Sequence, residues 1–132
     1  MSIRITAASA VLAMTALSSC AQSGGPNAQP VIKAPAAVAV GKPVSCVQTN
    51  LIRDTRVWDD YTIDFVMNDG TRYRNTLAGR CPNLGFDQRF AYKTATSSLC
   101  SVDTITVLPT GSSIPGPTCG LGPFVPVKLA GG

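Results

Sequence analysis

Tyr61-Thr62-Ile63-Asp64-Phe65-Val66-Met67, then Asn68-Asp69-Gly70, then Thr71-Arg72-Tyr73-Arg74-Asn75-Thr76-Leu77 is the stretch on which the fold turns. Both flanks alternate apolar and polar residues with the period of a β-strand, and the middle carries turn residues. A two-residue loop at Asp69-Gly70 would set Phe65 against Arg74 and Ile63 against Thr76, splitting the apolar face. A three-residue loop with Gly70 in the left-handed conformation sets Phe65 against Tyr73, Ile63 against Asn75 and Tyr61 against Leu77. A one-residue slip reverses every side chain, so burial selects the second register: a type I turn with a G1 bulge. One face is then apolar. The other carries Thr62, Asp64, Arg72 and Arg74 and is expected to be wet, with Asp64 opposite Arg74 as an exposed cross-strand pair of about 0.2–1 kcal/mol.

Working outward, further short strands are expected at residues 44–51, 55–58, 90–94, 104–108 and 124–127. The last contains Pro126 and is expected at an edge or as an irregular closing segment. Residues 111–122 are rich in Gly, Pro and Ser and are read as a loop. No segment after the N-terminal apolar run has a helical period. The fold class is therefore all-β: a small antiparallel barrel or two-layer sandwich of about five to seven short strands. Trp58 is read as core or sheet cover. The domain is placed at residues 44–129, with residues 130–132 as a tail.

A domain of roughly 85 residues has a marginal core and calls for a covalent supplement. Setting Cys20 aside leaves Cys46, Cys81, Cys100 and Cys119. An even count of spaced cysteines in a domain this small is read as two disulfides. Three pairings are possible; the preferred one joins Cys81 to Cys100 and Cys46 to Cys119, one loop nested in the other. Loop entropy gives these about 3 and about 4 kcal/mol. A zinc site is disfavoured, because the chain has no histidine and no Cys-x-x-Cys pair. Dithiol redox chemistry is disfavoured by the same spacing.

The N-terminus places this domain. Arg4 precedes an apolar run at residues 5–17, of about 13 residues against the roughly 20 needed to cross a membrane. A cation, an apolar stretch and small residues make a secretory signal peptide, residues 1–19. It ends in Leu17-Ser18-Ser19-Cys20, which resembles the lipobox of bacterial lipoproteins. That resemblance implies a diacylglycerol thioether on Cys20, which becomes an acylated N-terminus. Several acyl chains on one residue anchor far more firmly than one. Residues 20–43, rich in Ala, Gly, Pro, Gln and Val, are read as a disordered, lipidated tether. Ala21, rather than Asp, after the cysteine favours the outer membrane over the inner one.

The net charge is +4, with no histidine and no glutamate. The commonest general bases are therefore missing, and all acid function falls on seven residues, every one an aspartate. No serine sits in a Gly-x-Ser-x-Gly elbow. Asp54, Asp59 and Asp60 match no calcium-loop spacing and are read as solvated turn residues. The arginines do not cluster. They are read as solvated strand faces, with weak attraction to anionic polymers or headgroups as the alternative. Nucleic acid is not expected as a partner. No cofactor and no metal site are expected.

Cys46, then Arg56-Val57-Trp58-Asp59-Asp60, then Tyr73-Arg74-Asn75-Thr76-Leu77 and Arg80-Cys81-Pro82-Asn83-Leu84 form an ordered set. It continues with Leu99-Cys100-Ser101-Val102-Asp103-Thr104-Ile105 and Cys119-Gly120-Leu121-Gly122-Pro123-Phe124. This set resembles a proteobacterial domain-of-unknown-function family of short envelope lipoproteins. The resemblance implies export, lipidation and a β-rich disulfide domain; it brings no catalytic residues. Asn75 points to the apolar face and needs partners there, and Asp103 is suited to closing a turn after Cys100. Both are expected to be structural, fixing the cysteine loops; the alternative is a small polar pocket between those loops. The expectation is a periplasm-facing, lipid-anchored, non-enzymatic module that binds an envelope protein or peptidoglycan. The alternative is a small-ligand receptor or hydrolase with a loop-built polar pocket.

Overall fold

The hairpin at the centre of the chain forms in the register that burial requires. In the computed structural model, which describes residues 31–131, β4 (Thr62–Met67) pairs with β5 (Arg72–Thr76). Ile63 lies opposite Asn75, Asp64 opposite Arg74 and Phe65 opposite Tyr73. The Met67 N–H donates to Thr71 O and the Gly70 N–H to Met67 O, at 2.8 and 3.0 Å, while Gly70 has φ +88°. This is a left-handed position that glycine occupies without steric cost.

Three further strands complete a five-stranded antiparallel sheet around and beside the hairpin. They are β1 (Ala37–Ala39), β3 (Ile52–Val57) and β10 (Phe124–Leu129), in the order β1-β10-β5-β4-β3, with the turn Asn68–Gly70 at one end. Opposite it lie a two-stranded sheet of β2 (Cys46–Gln48) and β7 (Ser98–Cys100), and a three-stranded sheet. The latter has the order β6 (Phe90–Tyr92), β8 (Thr104–Val107), β9 (Thr118–Gly120). The sheets do not close into a barrel; the molecule is a two-layer sandwich. It holds ten strands among the described residues, more than the sequence indicated, because several are only three residues long. The only helical turns among them are a 3-10 turn at Thr49–Leu51 and α1 (Leu84–Asp87).

Between the layers, Ile63, Phe65 and Met67 of β4 meet Val47, Leu99, Ile105, Val107, Leu84 and Phe124 in one core cluster. Phe65 is fully buried, and its ring stands edge-on to Phe124 and Phe90 at 5.4 and 6.2 Å. Burying side chains of this size stabilises the fold by about 1.5–3 kcal/mol each, with edge-on aromatic pairs adding about 0.5–1.5.

The other face of the hairpin is not wet. All six residues of β4 are buried, and Asp64 is 0% exposed. The cause is the chain before β1. The N–H groups of Lys33 and Ala34 donate to Asp59 Oδ2 at 2.8 and 3.2 Å. Pro35 O accepts from Arg74 Nη1 at 2.7 Å, and Ala36 O from the Ala130 N–H at 2.8 Å. This strap crosses the outer face before the chain enters β1. Residues 33–39 therefore belong to the domain, not to the tether, and the boundary expected at residue 44 moves forward.

Three more expectations are corrected. First, β10 is not an edge strand: β1 pairs outside it, with Val38 opposite Lys128. Pro126 is tolerated there because its donor-less nitrogen faces Val40, just beyond the end of β1, where only Pro126 O is used, by the Val40 N–H at 2.8 Å. Second, the stretch 111–122 contains β9, with Ile105 opposite Cys119. Third, the disulfides are Cys46–Cys100 and Cys81–Cys119. They interlace instead of nesting. Strand pairing decides this: Cys46 and Cys100 lie directly opposite each other in the β2–β7 ladder.

Candidate functional site

Asp64 stands at the centre of the densest polar cluster. Trp58 Nε1 donates to its Oδ2 at 2.8 Å, Arg74 Nε to its Oδ1 at 2.8 Å and Arg74 Nη2 to its Oδ2 at 3.0 Å. Arg72 Nη1 adds a fourth bond to Oδ2 at 3.2 Å. Burial pushes the carboxyl up, but the bonds from Arg74 and Trp58, the Arg74 charge and the Arg72 bond outweigh it and hold it below its ordinary value. The cluster closes on itself. Trp58 serves as cover for this face, with the Arg56 guanidinium 5.9 Å from its ring centre.

The remaining sequence-selected residues are also accounted for. Asn75 is fully buried and clasps one residue: its Nδ2 donates to Gly122 O at 2.6 Å, and its Oδ1 accepts the Gly122 N–H at 2.9 Å. Gly122 has to be glycine, because a Cβ there would stand 2.2 Å from Thr76 O. Asp103 Oδ2 accepts the Cys100 N–H at 2.7 Å, closing the turn, and Asp103 O accepts the Leu121 N–H at 3.1 Å. Asn75 and Asp103 thus grip neighbouring residues of the segment that follows Cys119. Every buried side-chain nitrogen and oxygen among the described residues has a hydrogen-bond partner. Asp59, expected to be solvated, is 3% exposed and accepts three backbone N–H groups: those of Lys33, Ala34 and Tyr61. Asp60 accepts from the Gly85 N–H and from Arg80. Cys20 lies outside the described residues.

Where the inner face of the large sheet runs past the second layer, at the end with the hairpin turn, a cleft of about 310 Å³ opens. Val47, Leu51, Met67 and Tyr73 form its apolar wall; Cys46, Gln48, Asn68 and Asp69 complete the rim. Gln48 is occupied by Ser98 Oγ at 3.0 Å. Asp69 Oδ1 accepts the Thr71 N–H at 2.9 Å, and that bond holds the exposed carboxyl below its ordinary value. The cleft can take up an apolar or amphipathic group. Its volume lies at the low end for small-molecule sites. Sequence reasoning missed these residues singly. The signal was present in the register, which puts Met67 and Tyr73 on the apolar face beside the turn, but nothing in the sequence showed where the opposing layer stops.

Comparison with known proteins adds no neighbour: no protein-family model, curated protein or solved structure matches this chain.

Proposed function

We propose that this protein is a bacterial envelope lipoprotein, held outside the cytoplasm by acylated Cys20, and that it acts as a non-enzymatic binding or structural module. The observation that carries this reading is the cysteine pattern. Two disulfides take up four of the chain's 5 cysteines, a framework suited to an oxidising compartment. The fifth stands alone at the end of an apolar run, in Leu17-Ser18-Ser19-Cys20. The non-enzymatic part is supported by how the carboxylates are used. Asp59, Asp60, Asp64 and Asp103 are bound to backbone or arginine donors. Asp69, the one acid on the cleft rim, holds its own turn. The binding surface in this reading is the apolar cleft, offered to an envelope protein or to peptidoglycan. The membrane is the outer one, favoured by Ala21.

Metabolic labelling with a radioactive fatty acid tests the anchor. The native chain incorporates label and Cys20→Ala does not; an unlabelled native chain overturns the reading. Photocrosslinking from position 51 in whole cells tests the surface. A discrete adduct that is absent from position 102 supports a partner at the cleft, and equal adducts from both positions count against it.

A further inference from the structure

The end of the sandwich opposite the cleft has its own character. Asp59 and Asp60, just before β4, gather several segments there. Asp59 holds the N–H groups of Lys33 and Ala34. Asp60 Oδ1 accepts the Gly85 N–H at 2.9 Å, and Gly85 packs so closely that a Cβ would stand 2.9 Å from Asp59 Cα. Asp87 Oδ1 accepts the Thr110 N–H at 2.8 Å, bringing the β8–β9 loop alongside. This end therefore presents Val31, Ile32 and Phe86, exposed by 73%, 54% and 85%, and the loop that reaches it at Thr110 carries Ile114, exposed by 74%. A phenylalanine left this bare on a one-turn helix contributes nothing to the core.

The charges at this end are sorted by depth. The carboxylates of Asp59, Asp60 and Asp87 turn inward onto backbone N–H groups. Lys33 and Arg89 are exposed, while Arg80, also exposed, is paired with Asp60 Oδ2 at 3.0 Å. Apolar and aromatic tips with exposed cations close in sequence, Lys33 beside Ile32 and Arg89 beyond Phe86, suit the interfacial zone of a phospholipid bilayer.

We infer that this end, with Phe86 at its tip, docks onto the phospholipid surface to which Cys20 tethers the chain, leaving the cleft pointing away from the membrane. The inference rests on the lipid-anchor reading. Its argument is where the described chain begins. Val31 lies at this end, and the peptide back to Cys20, even fully extended, spans at most about 40 Å. A linker that short supplies an effective concentration on the order of millimolar, so contacts too weak to hold a free protein on a vesicle are populated in the tethered one.

The test uses the processed, full-length protein purified from membranes and reconstituted in vesicles of phosphatidylethanolamine and phosphatidylglycerol. Intact mass comes first: a chain without added lipid overturns the anchor reading and the docking with it. Phe86→Trp is then compared with Val102→Trp, since Val102 is equally bare at 87% but sits beyond the other end of β8. Native Trp58 is subtracted in both. Lipids brominated along the acyl chain are expected to quench Phe86→Trp at least two-fold more than Val102→Trp. Equal quenching in a lipidated protein overturns the docking alone. Shielding of Phe86→Trp that tracks protein concentration instead of vesicles assigns the face to a second copy of the chain, and also overturns it.

Discussion

The two faces of the β4–β5 hairpin are buried to similar depth by opposite means. On the inner face Phe65 loses its water to other apolar rings, and the gain scales with area. On the outer face Asp64 loses its water to two arginines, an indole and a strap of backbone. There the cost of removing a charge from water is offset only if every lone pair is met. The inner face tolerates imprecise shape at a graded cost. The outer face is most sensitive to the loss of Asp64 itself, which leaves Arg72 and Arg74 without their shared counter-charge.

This difference can be broken or sharpened by substitution. The largest effect is expected from Phe65→Ala, which leaves a cavity between the sheets and costs about 3–5 kcal/mol. In a domain of this size each kcal/mol lowers Tm by about 4–8 °C, so calorimetry on oxidised protein reads it directly. Asp64→Ala is expected to cost about 3 kcal/mol by leaving Arg74 half-buried without its partner. A loss below about 1 kcal/mol would mean that solvent screens the cluster and that the two faces do not differ as described. Asn75→Ala, polar but on the inner face, strips both backbone groups of Gly122 of their partners and is expected to cost about 2 kcal/mol in urea unfolding.

Asp59→Ala should release the strap at a cost of about 1–2 kcal/mol. Amide exchange of Lys33, Ala34 and Ala130 is then expected to quicken while that of β4 to β5 pairs does not. Equal quickening everywhere would tie the strap to the core. The smallest effect is with pH. The Asp64 carboxyl is held below its ordinary value in the fold. Its contribution is therefore whole above the unfolded value of about 3.9 and is lost as pH falls through the lowered folded value. Stability of the native chain should fall more steeply below about pH 4 than that of Asp64→Asn; parallel curves would remove Asp64 from the acid response.

Much of the inner face was legible. Alternation in residues 61–77 and a glycine at position 70 select the turn, the register and the buried set, because period two and burial leave one consistent pairing. The roles of Asn75 and Asp103 were legible in kind: a buried amide needs partners, and an aspartate three residues after a cysteine suits a turn. Their partners, Gly122 and Leu121, were not. The cleft was the least legible feature. Tyr73 and Met67 announce an apolar face, but the end of the opposing layer is a property of β2 and β7, three-residue strands with little pattern of their own.

By itself the chain determined an all-β domain with two disulfides and a central hairpin in one register, since these follow from local periodicity, turn chemistry and an even cysteine count. Only the tertiary structure decided which sulfurs join, which strand lies inside the sheet and which polar face is covered. Those outcomes depend on segments distant in sequence: β7 against β2, β1 against β10, and residues 33–36 over Asp64. Such pairings are chosen by the joint packing of the whole core, and no short window of residues carries that information.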